Sequence, residues 1–270
     1  MKIGIIALGL IGGSILKALS SKNIELIAIS QNKDSLEKAK AYAYKTSSQL
    51  EDLKGCEIVF VCTPISNTLE TLDKLETILD KSCIVTDVSS VKSFVMQKKR
   101  PYKFIGSHPM AGTEFNGFDA SFKELFNQAK WVITPFEDTK NSDIKKLNEI
   151  ISLTGAKTII TNAEEHDKAV ALISHMPMII AQALYKTAEN NNLAMKLASS
   201  GFRDMTRLAM SNITMANDML TFNGVQINNS IEDLNKNIKN LKSDKYFEMI
   251  SEIKSSREKM YSKEGKNLIE

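Results

Sequence analysis

The chain is poor in the residues that hold small or extracellular domains together. Its three cysteines, Cys56, Cys62 and Cys83, are an odd, scattered set with no metal-ligand spacing. That excludes a disulfide framework and a cysteine metal site, and it points to reduced thiols in a cytoplasmic setting. Charge of neither sign dominates: 35 Lys and Arg face 32 Asp and Glu, a net +3. Such a balance calls for no nucleic-acid partner, though it suits a small anionic substrate. Long hydrophobic runs are also scarce. The stretch up to Leu19 resembles a secretory leader, but Lys17 interrupts it and Gly9, Gly12 and Gly13 cut it into strand, turn and helix. It is therefore read as part of the fold. No other run is long and apolar enough to cross a bilayer, so no membrane partner is expected. Histidine occurs three times, at His108, His166 and His175.

What the chain does contain is alternation. Apolar strands are expected at Lys2 to Leu8, Ile24 to Ser30, Ile58 to Cys62, Cys83 to Asp87, Lys103 to Gly106, Trp131 to Thr134 and 157–160. Between them fall helical patterns: Ser14 to Ser21, Asp34 to Tyr44 with Asp34 as N-cap, Asn67 to Asp80, Val91 to Lys98, Ser121 to Asn127 and Asp143 to Leu153. Continuously apolar strands alternating with helices define an α/β fold, a Rossmann-type doubly wound sheet. After Thr161 the strand pattern stops. Helices are expected over Ala163 to Glu189, interrupted at Pro177, then Leu193 to Ala198, Met205 to Met210, Thr214 to Asn223 and Ser230 to Lys259. Ile231, Leu234, Ile238 and Leu241 step by three and four, a seam for another helix. The expected division is a dinucleotide-binding α/β domain over 1–161 and an all-helical domain over 162–270, ending in a polar, frayed tail from Tyr261.

Ala7-Leu8-Gly9-Leu10-Ile11-Gly12 sits between the first strand and the first helix, where a dinucleotide fingerprint belongs. Gly9 lets the backbone approach a pyrophosphate, Gly12 lets helix and strand pack closely, and the helix N-terminus offers free N–H groups. Ala7 replaces the fingerprint's first glycine and serves if the turn keeps its φ negative. The alternative is a glycine-rich turn of another α/β fold. Ser30 stands at the end of the second strand, where an acid usually holds the ribose 2′-OH, and Lys33 follows it. NAD is expected, with NADP not excluded. Thr63-Pro64 closes the third apolar strand at the same edge.

Ser90, in Asp87-Val88-Ser89-Ser90-Val91-Lys92, and His108, in Gly106-Ser107-His108-Pro109-Met110-Ala111-Gly112-Thr113-Glu114, each follow a strand end, where ligands gather in a doubly wound sheet. A neutral imidazole accepts a proton near its ordinary pKa of ~6.5. Ser90 alternatively reads as a plain helix N-cap and His108 as a structural turn residue. In Gly201-Phe202-Arg203-Asp204-Met205-Thr206-Arg207, two guanidinium groups four residues apart share a helical face and suit a carboxylate ligand. Routine surface ion pairs are the alternative.

These segments, together with the helix running Glu165-His166-Asp167 through Ser174-His175-Met176-Pro177, resemble the prephenate dehydrogenase family over nearly the whole chain. The resemblance implies NAD-linked oxidative decarboxylation of prephenate to 4-hydroxyphenylpyruvate in tyrosine biosynthesis. It implies His108 as acceptor of the substrate hydroxyl, Ser90 as its orienting partner, and Arg207 on a substrate carboxylate. Arg203, Thr113, Glu114, His175 and Asp167 complete the implied substrate pocket, and Gly9, Leu10, Ile11, Gly12, Ser30, Thr63 and Pro64 the cofactor site. It implies a homodimer joined through the helical domain. Two departures stand out: Met178 replaces a second pocket histidine and Ala216 a tryptophan. They leave arogenate or dual specificity open. A β-hydroxyacid dehydrogenase shares the plan but lacks its glycine-flanked lysine here, Lys168 being the nearest, and a non-catalytic nucleotide sensor sits poorly with His108, Ser90 and Arg207 together.

Overall fold

A parallel sheet whose strands are apolar on both faces needs helices above and below it, and the chain supplies them in sequence order. A computed structural model describes residues 1–113 and 115–261, so Glu114 and the tail beyond Tyr261 lie outside the described residues. The elements are β1 (Lys2–Ile6), α1 (Leu10–Leu19), β2 (Glu25–Ile29), α2 (Lys33–Ala39), β3 (Lys45–Ser47), β4 (Ile58–Val61), α3 (Ile65–Leu75), β5 (Ile84–Asp87), α4 (Lys92–Val95) and β6 (Lys103–Phe104). Their strands form one all-parallel sheet in the order β3-β2-β1-β4-β5-β6. This is the doubly wound order, whose reversal beside β1 opens a crevice at the carboxyl edge. Ile3, Ile5, Ile58, Phe60 and Ile84 are fully or almost fully buried under one layer of helices, and Ile27, Val59, Val61 and Val85 under the other. Each such side chain contributes about 1.5–3 kcal/mol by leaving water.

The next strands depart from the single sheet that the alternation suggests. β7 (Gly106–Pro109), β8 (Lys130–Thr134) and β9 (Lys157–Ile160), with α5 (Asn141–Ser152), make a separate three-stranded sheet in which β7 and β8 run antiparallel. The run read as one strand to Gly106 breaks at Ile105, because β6 pairs with β5 and β7 turns away to β8. Ser121 to Asn127 forms turns, not a helix. Lys17 donates to the Ser121 carbonyl at 2.7 Å, and Ser14 accepts from Phe122 N at 3.1 Å, which fastens that stretch across α1. The cap of α2 is Asn32, not Asp34: its side chain accepts from Ser35 N at 3.0 Å.

Beyond Thr161 the described residues are helical. α6 (Ala163–Val170), a π turn (Ala171–His175) and α7 (Met176–Ala188) join end to end, followed by α8 (Asn192–Leu197), α9 (Ser200–Thr206), a 3-10 turn (Arg207–Met210), α10 (Ile213–Leu241) and α11 (Tyr246–Tyr261). The interruption expected at Pro177 is the π turn just before it, since proline fits the first turn of α7. Ser230 to Lys259 is not one helix but parts of two. One expectation needs correcting: Ala163–Ala188 is 26 residues long and holds an 18-residue window of mean hydropathy 1.2, enough by length and composition alone to span a bilayer. Its polar side chains Asp167 and His175 are buried within the protein.

The chain divides into two compact units, Met1–Gly224 and Val225–Glu270. The first holds both sheets and the helices through the start of α10. The second is the rest of α10 and α11, where Ile238 is exposed on the expected apolar seam.

Candidate active site

One row of paired residues, Ile29, Ile6, Val61 and Asp87, marks the carboxyl edge of the large sheet. The residues that follow each strand therefore meet there: Ala7 to Gly12, Ser30, Thr63-Pro64 and Ser90. Ala7 has a φ of +68°, contrary to the negative value expected for it. An alanine there costs roughly 1–2 kcal/mol, and the turn is held by Ala7 N donating to Ile29 O at 2.8 Å. The turn brings the Ala7 carbonyl oxygen so close to Gly12 that a Cβ there would sit 2.1 Å from it, so only glycine fits. Gly9 begins α1 without any side-chain cap, so the first N–H groups point outward at the positive end of the helix dipole. Ser30 accepts from Asn32 N at 3.1 Å and keeps its own hydroxyl proton to give. Thr63 pairs with Thr68 at 3.1 Å, and Pro64 caps α3.

Ser90 is not an N-cap. The short α4 begins at Val91 without a side-chain cap. Its first N–H groups are taken by a distant carboxylate: Lys92 N and Ser93 N donate to the two oxygens of Asp167 at 2.7 and 2.8 Å. The Ser90 hydroxyl is left buried and, among the described residues, without a partner at the carboxyl edge of the sheet. Orphaned hydroxyl, uncapped helix end and close glycine approach together fit a dinucleotide with its nicotinamide end near Ser90.

Beneath that edge lies a dry ionic network. Lys92, fully buried, pairs with Asp87 and donates to the Ser107 carbonyl at 2.6 Å. Ser107 Oγ donates to the Asp87 carbonyl at 2.8 Å and accepts from Trp131 Nε1 and Thr86 Oγ1, each at 2.9 Å. These bonds fix β7 against the end of β5, and the residue they present next is His108.

His108 Nδ1 lies 2.9 Å from His166 Nε2, and His166 Nδ1 lies 2.8 Å from Asp167 Oδ1. The carboxylate only accepts, so His166 carries its proton on Nδ1 and its Nε2 accepts from His108 Nδ1–H. His108 Nε2 is then a lone pair. Burial, with the neighbouring His166, Lys92 and His175, holds the His108 ring well below its ordinary pKa. It is therefore neutral far into the acidic range, lower than the ordinary value from which its titration was expected. Burial opposes charge on Asp167, but the bonds from His166, Lys92 and Ser93 outweigh it and keep its pKa below normal. With both oxygens engaged, Asp167 serves as an anchor. His166 was not singled out as a site residue; its adjacency to Asp167 and the scarcity of histidine were the available signals.

His175 is buried on the π turn, with its pKa pushed down by burial to about 4. Arg203, Arg207 and Thr113 lie on exposed surface, outside this hydrogen-bonded cluster. Arg203 reaches Asp204 at 3.5 Å. The two departures at Met178 and Ala216 prove to be neighbours: with Met219 they form one small apolar cluster, against which Ile179 and Leu208 pack.

A dinucleotide crevice together with a buried, uncharged histidine fits a dehydrogenase with a helical second half. Residues 11–160 match the model of the prephenate dehydrogenase nucleotide-binding domain, and residues 162–255 that of the prephenate dehydrogenase dimerization domain. The chain belongs to the prephenate dehydrogenase family, a family of oxidoreductases. It is 33% identical over 251 residues to the prephenate dehydrogenase of Lactococcus lactis, covering 88% of this chain and 69% of that one. The first two curated relatives are spanned to 69% and 62% of their length. Among solved structures, the Synechocystis arogenate dehydrogenase superposes with a TM-score of 0.84 at 33% identity, covering 96% of this chain and 99% of that one. The prephenate dehydrogenase of Aquifex aeolicus, in complex with hydroxyphenyl propionate and NAD+, gives a TM-score of 0.86 at 26% identity, covering 96% and 98%.

Proposed function

We propose that the protein catalyses the oxidative decarboxylation of prephenate to 4-hydroxyphenylpyruvate, with NAD as cofactor, in tyrosine biosynthesis. The observation that carries this reading is the Asp167–His166–His108 chain, which leaves His108 Nε2 as an acceptor, together with the unpartnered Ser90 hydroxyl at the carboxyl edge of the sheet. Gly9 to Gly12, Ser30 and Thr63-Pro64 would hold the dinucleotide, whose nicotinamide would supply the hydride acceptor. His108 Nε2 receives the proton of the substrate's ring hydroxyl, and Ser90 orients that hydroxyl. His166 and Asp167 hold the His108 tautomer and stabilise the charge it takes up. Loss of the ring carboxylate as CO₂ leaves an aromatic ring, which makes the step downhill. Arg207 binds a substrate carboxylate, with Arg203 and Thr113 at the rim and His175 within; Glu114, also assigned to the pocket, lies outside the described residues. The low pKa of His108 keeps the acceptor unprotonated at neutral pH.

The helical half, from residue 162 onward, is proposed as the domain that binds substrate and forms a homodimer, the α/β half ending at 161. Its exposed apolar side chains support this: Leu193, Leu197, Met210 and Ile213 are at least 65% exposed. A cytoplasmic setting accords with three free cysteines.

The test is formation of reduced nicotinamide with prephenate or arogenate, each supplied with NAD or NADP. Turnover of prephenate with NAD is expected to be the fastest of the four. Arogenate turning over faster would move the substrate to the amino analogue on the same machinery, and turnover of neither acid would overturn the reading.

A further inference from the structure

Asn223 is buried at the point where α10 leaves helical geometry, with φ −123° and ψ 17°. Its amide nitrogen donates to the backbone carbonyl of Asp167 at 2.9 Å and lies 3.1 Å from Nδ1 of His175. The first bond settles which end of the amide is which, because a carbonyl can only accept. The same nitrogen carries a second hydrogen, and that hydrogen faces His175 Nδ1. Nδ1 is therefore an acceptor, and the single proton of the neutral ring sits on Nε2. Nε2 is buried and has no partner among the described residues. A buried, neutral N–H with nothing to bond is costly unless a ligand supplies the acceptor. The ring is tied to the His108 cluster through Asn223, which bonds the backbone of Asp167, whose carboxylate bonds His166 and so leads to His108.

The π turn explains how one amide reaches both groups. Residues eight apart on a regular α-helix are offset by about 80° around the axis. Asp167 and His175 are eight apart, and the five-residue turn at Ala171–His175 takes up part of that offset. The Asp167 carbonyl and the His175 ring thus come to the same side, where Asn223 meets them.

We propose that Asn223 is a positioning residue for the reaction: it fixes His175 in the Nε2–H form, making that ring a dedicated neutral donor to a carboxylate or carbonyl oxygen of the bound substrate. Through the Asp167 carbonyl the same amide braces the helix that carries His166 and Asp167. This rests on the reading above for the identity of the substrate, but the tautomer is a property of the protein alone.

Nitrogen NMR of the histidine rings tests it directly, since only three rings need assigning. In the unaltered protein His175 is expected to be uncharged with its proton on Nε2; a proton on Nδ1 would overturn the proposal. Asn223→Asp replaces a donor with an acceptor, so the proton should move to Nδ1. KM for the substrate should then rise about tenfold to a hundredfold, as for loss of one hydrogen bond to a charged group, with the Kd for reduced NAD unchanged. A variant that binds the cofactor normally and keeps both the Nε2–H form and the original KM would sink the idea. Where Asn223→Asp does not fold, Asn223→Ser and Asn223→Ala give the same test with a smaller rise in KM. An unaltered protein that turns over neither prephenate nor arogenate would defeat the proposed function, while the ring spectra would still decide the role of Asn223.

Discussion

The cluster that joins Asp87, Lys92, His108, His166 and Asp167 handles charge by burial, whereas Arg203 on α9 and Arg207 at the start of the following 3-10 turn leave it in water. In the first, Lys92 and Asp87 are wholly buried, and bonds of 2.6 to 2.9 Å hold Ser107, His166 and His108 in place. In the second, the Arg203 side chain is 78% exposed and its ion pair is 3.5 Å long. The difference teaches where each task is done. A base must hold one tautomer and one pKa before the substrate arrives, so its surroundings are dry and over-determined. A guanidinium that receives an anion from solvent must stay accessible until the anion comes.

The sharpest way to break this comparison is at His108. His108→Asn should lower kcat by about 10²–10⁴ with a modest change in KM. Near-normal turnover would remove the ring from the chemistry. The pH dependence follows from the same burial. A protonated ring cannot accept, so kcat/KM falls on the acid side of the His108 pKa, and that pKa lies well below 6.5. The profile should be flat from pH 8 down through 6.5 and decline only in more acidic solution. A limb centred near ~6.5, the value of a free imidazole, would show that the ring is not held in the dry setting described.

Next in size is the buried pair. Lys92→Met leaves Asp87 charged and short of a partner, and breaking such a pair costs about 3–5 kcal/mol. Urea unfolding should show a loss of that order. The double variant Asp87→Leu with Lys92→Met should recover part of it. Equal losses in the single and double variants would mean that packing, not charge pairing, sets the cost.

The two regions also differ in how far they can be read in advance. The parallel sheet is legible because apolar strands buried on both faces leave an unbroken signature, as Ile58 to Val61 does. The glycine turn is legible because Gly12 must lack a side chain. The place of Ser90 is legible because it follows the end of β5, whereas His108, expected just past a strand, lies within β7. What hides is anything that depends on a partner far along the chain. The helix expected at Ser121 to Asn127 yields to bonds with Ser14 and Lys17, more than a hundred residues away. The positive φ of Ala7 goes with a bond from its N–H to Ile29 and a carbonyl packed against Gly12, neither of which its own residue type announces. His166 lies far from His108 in sequence, and only the fold joins their rings. Met178 and Ala216 read as two separate departures, yet they share one cluster.

The smallest expected effects lie on the exposed face, and there the comparison sharpens. Arg207→Ala should raise KM with little change in kcat, by the ~1.5–3 kcal/mol of a hydrogen bond to a charged group, about 10- to 150-fold. Arg203→Ala should cost under ~1 kcal/mol, because an exposed pair like Arg203–Asp204 contributes little. Neither change should move the unfolding midpoint by more than about 0.5 kcal/mol, since neither side chain is buried. The contrast between the two arginines is the informative part. They share a helical face and an exposed setting, so a general loss of positive potential would affect both alike and fade with added salt. A specific carboxylate contact would single out Arg207 and persist in salt once the substrate has displaced water. Equal shifts in KM for the two variants would mean that this face attracts the substrate without gripping it.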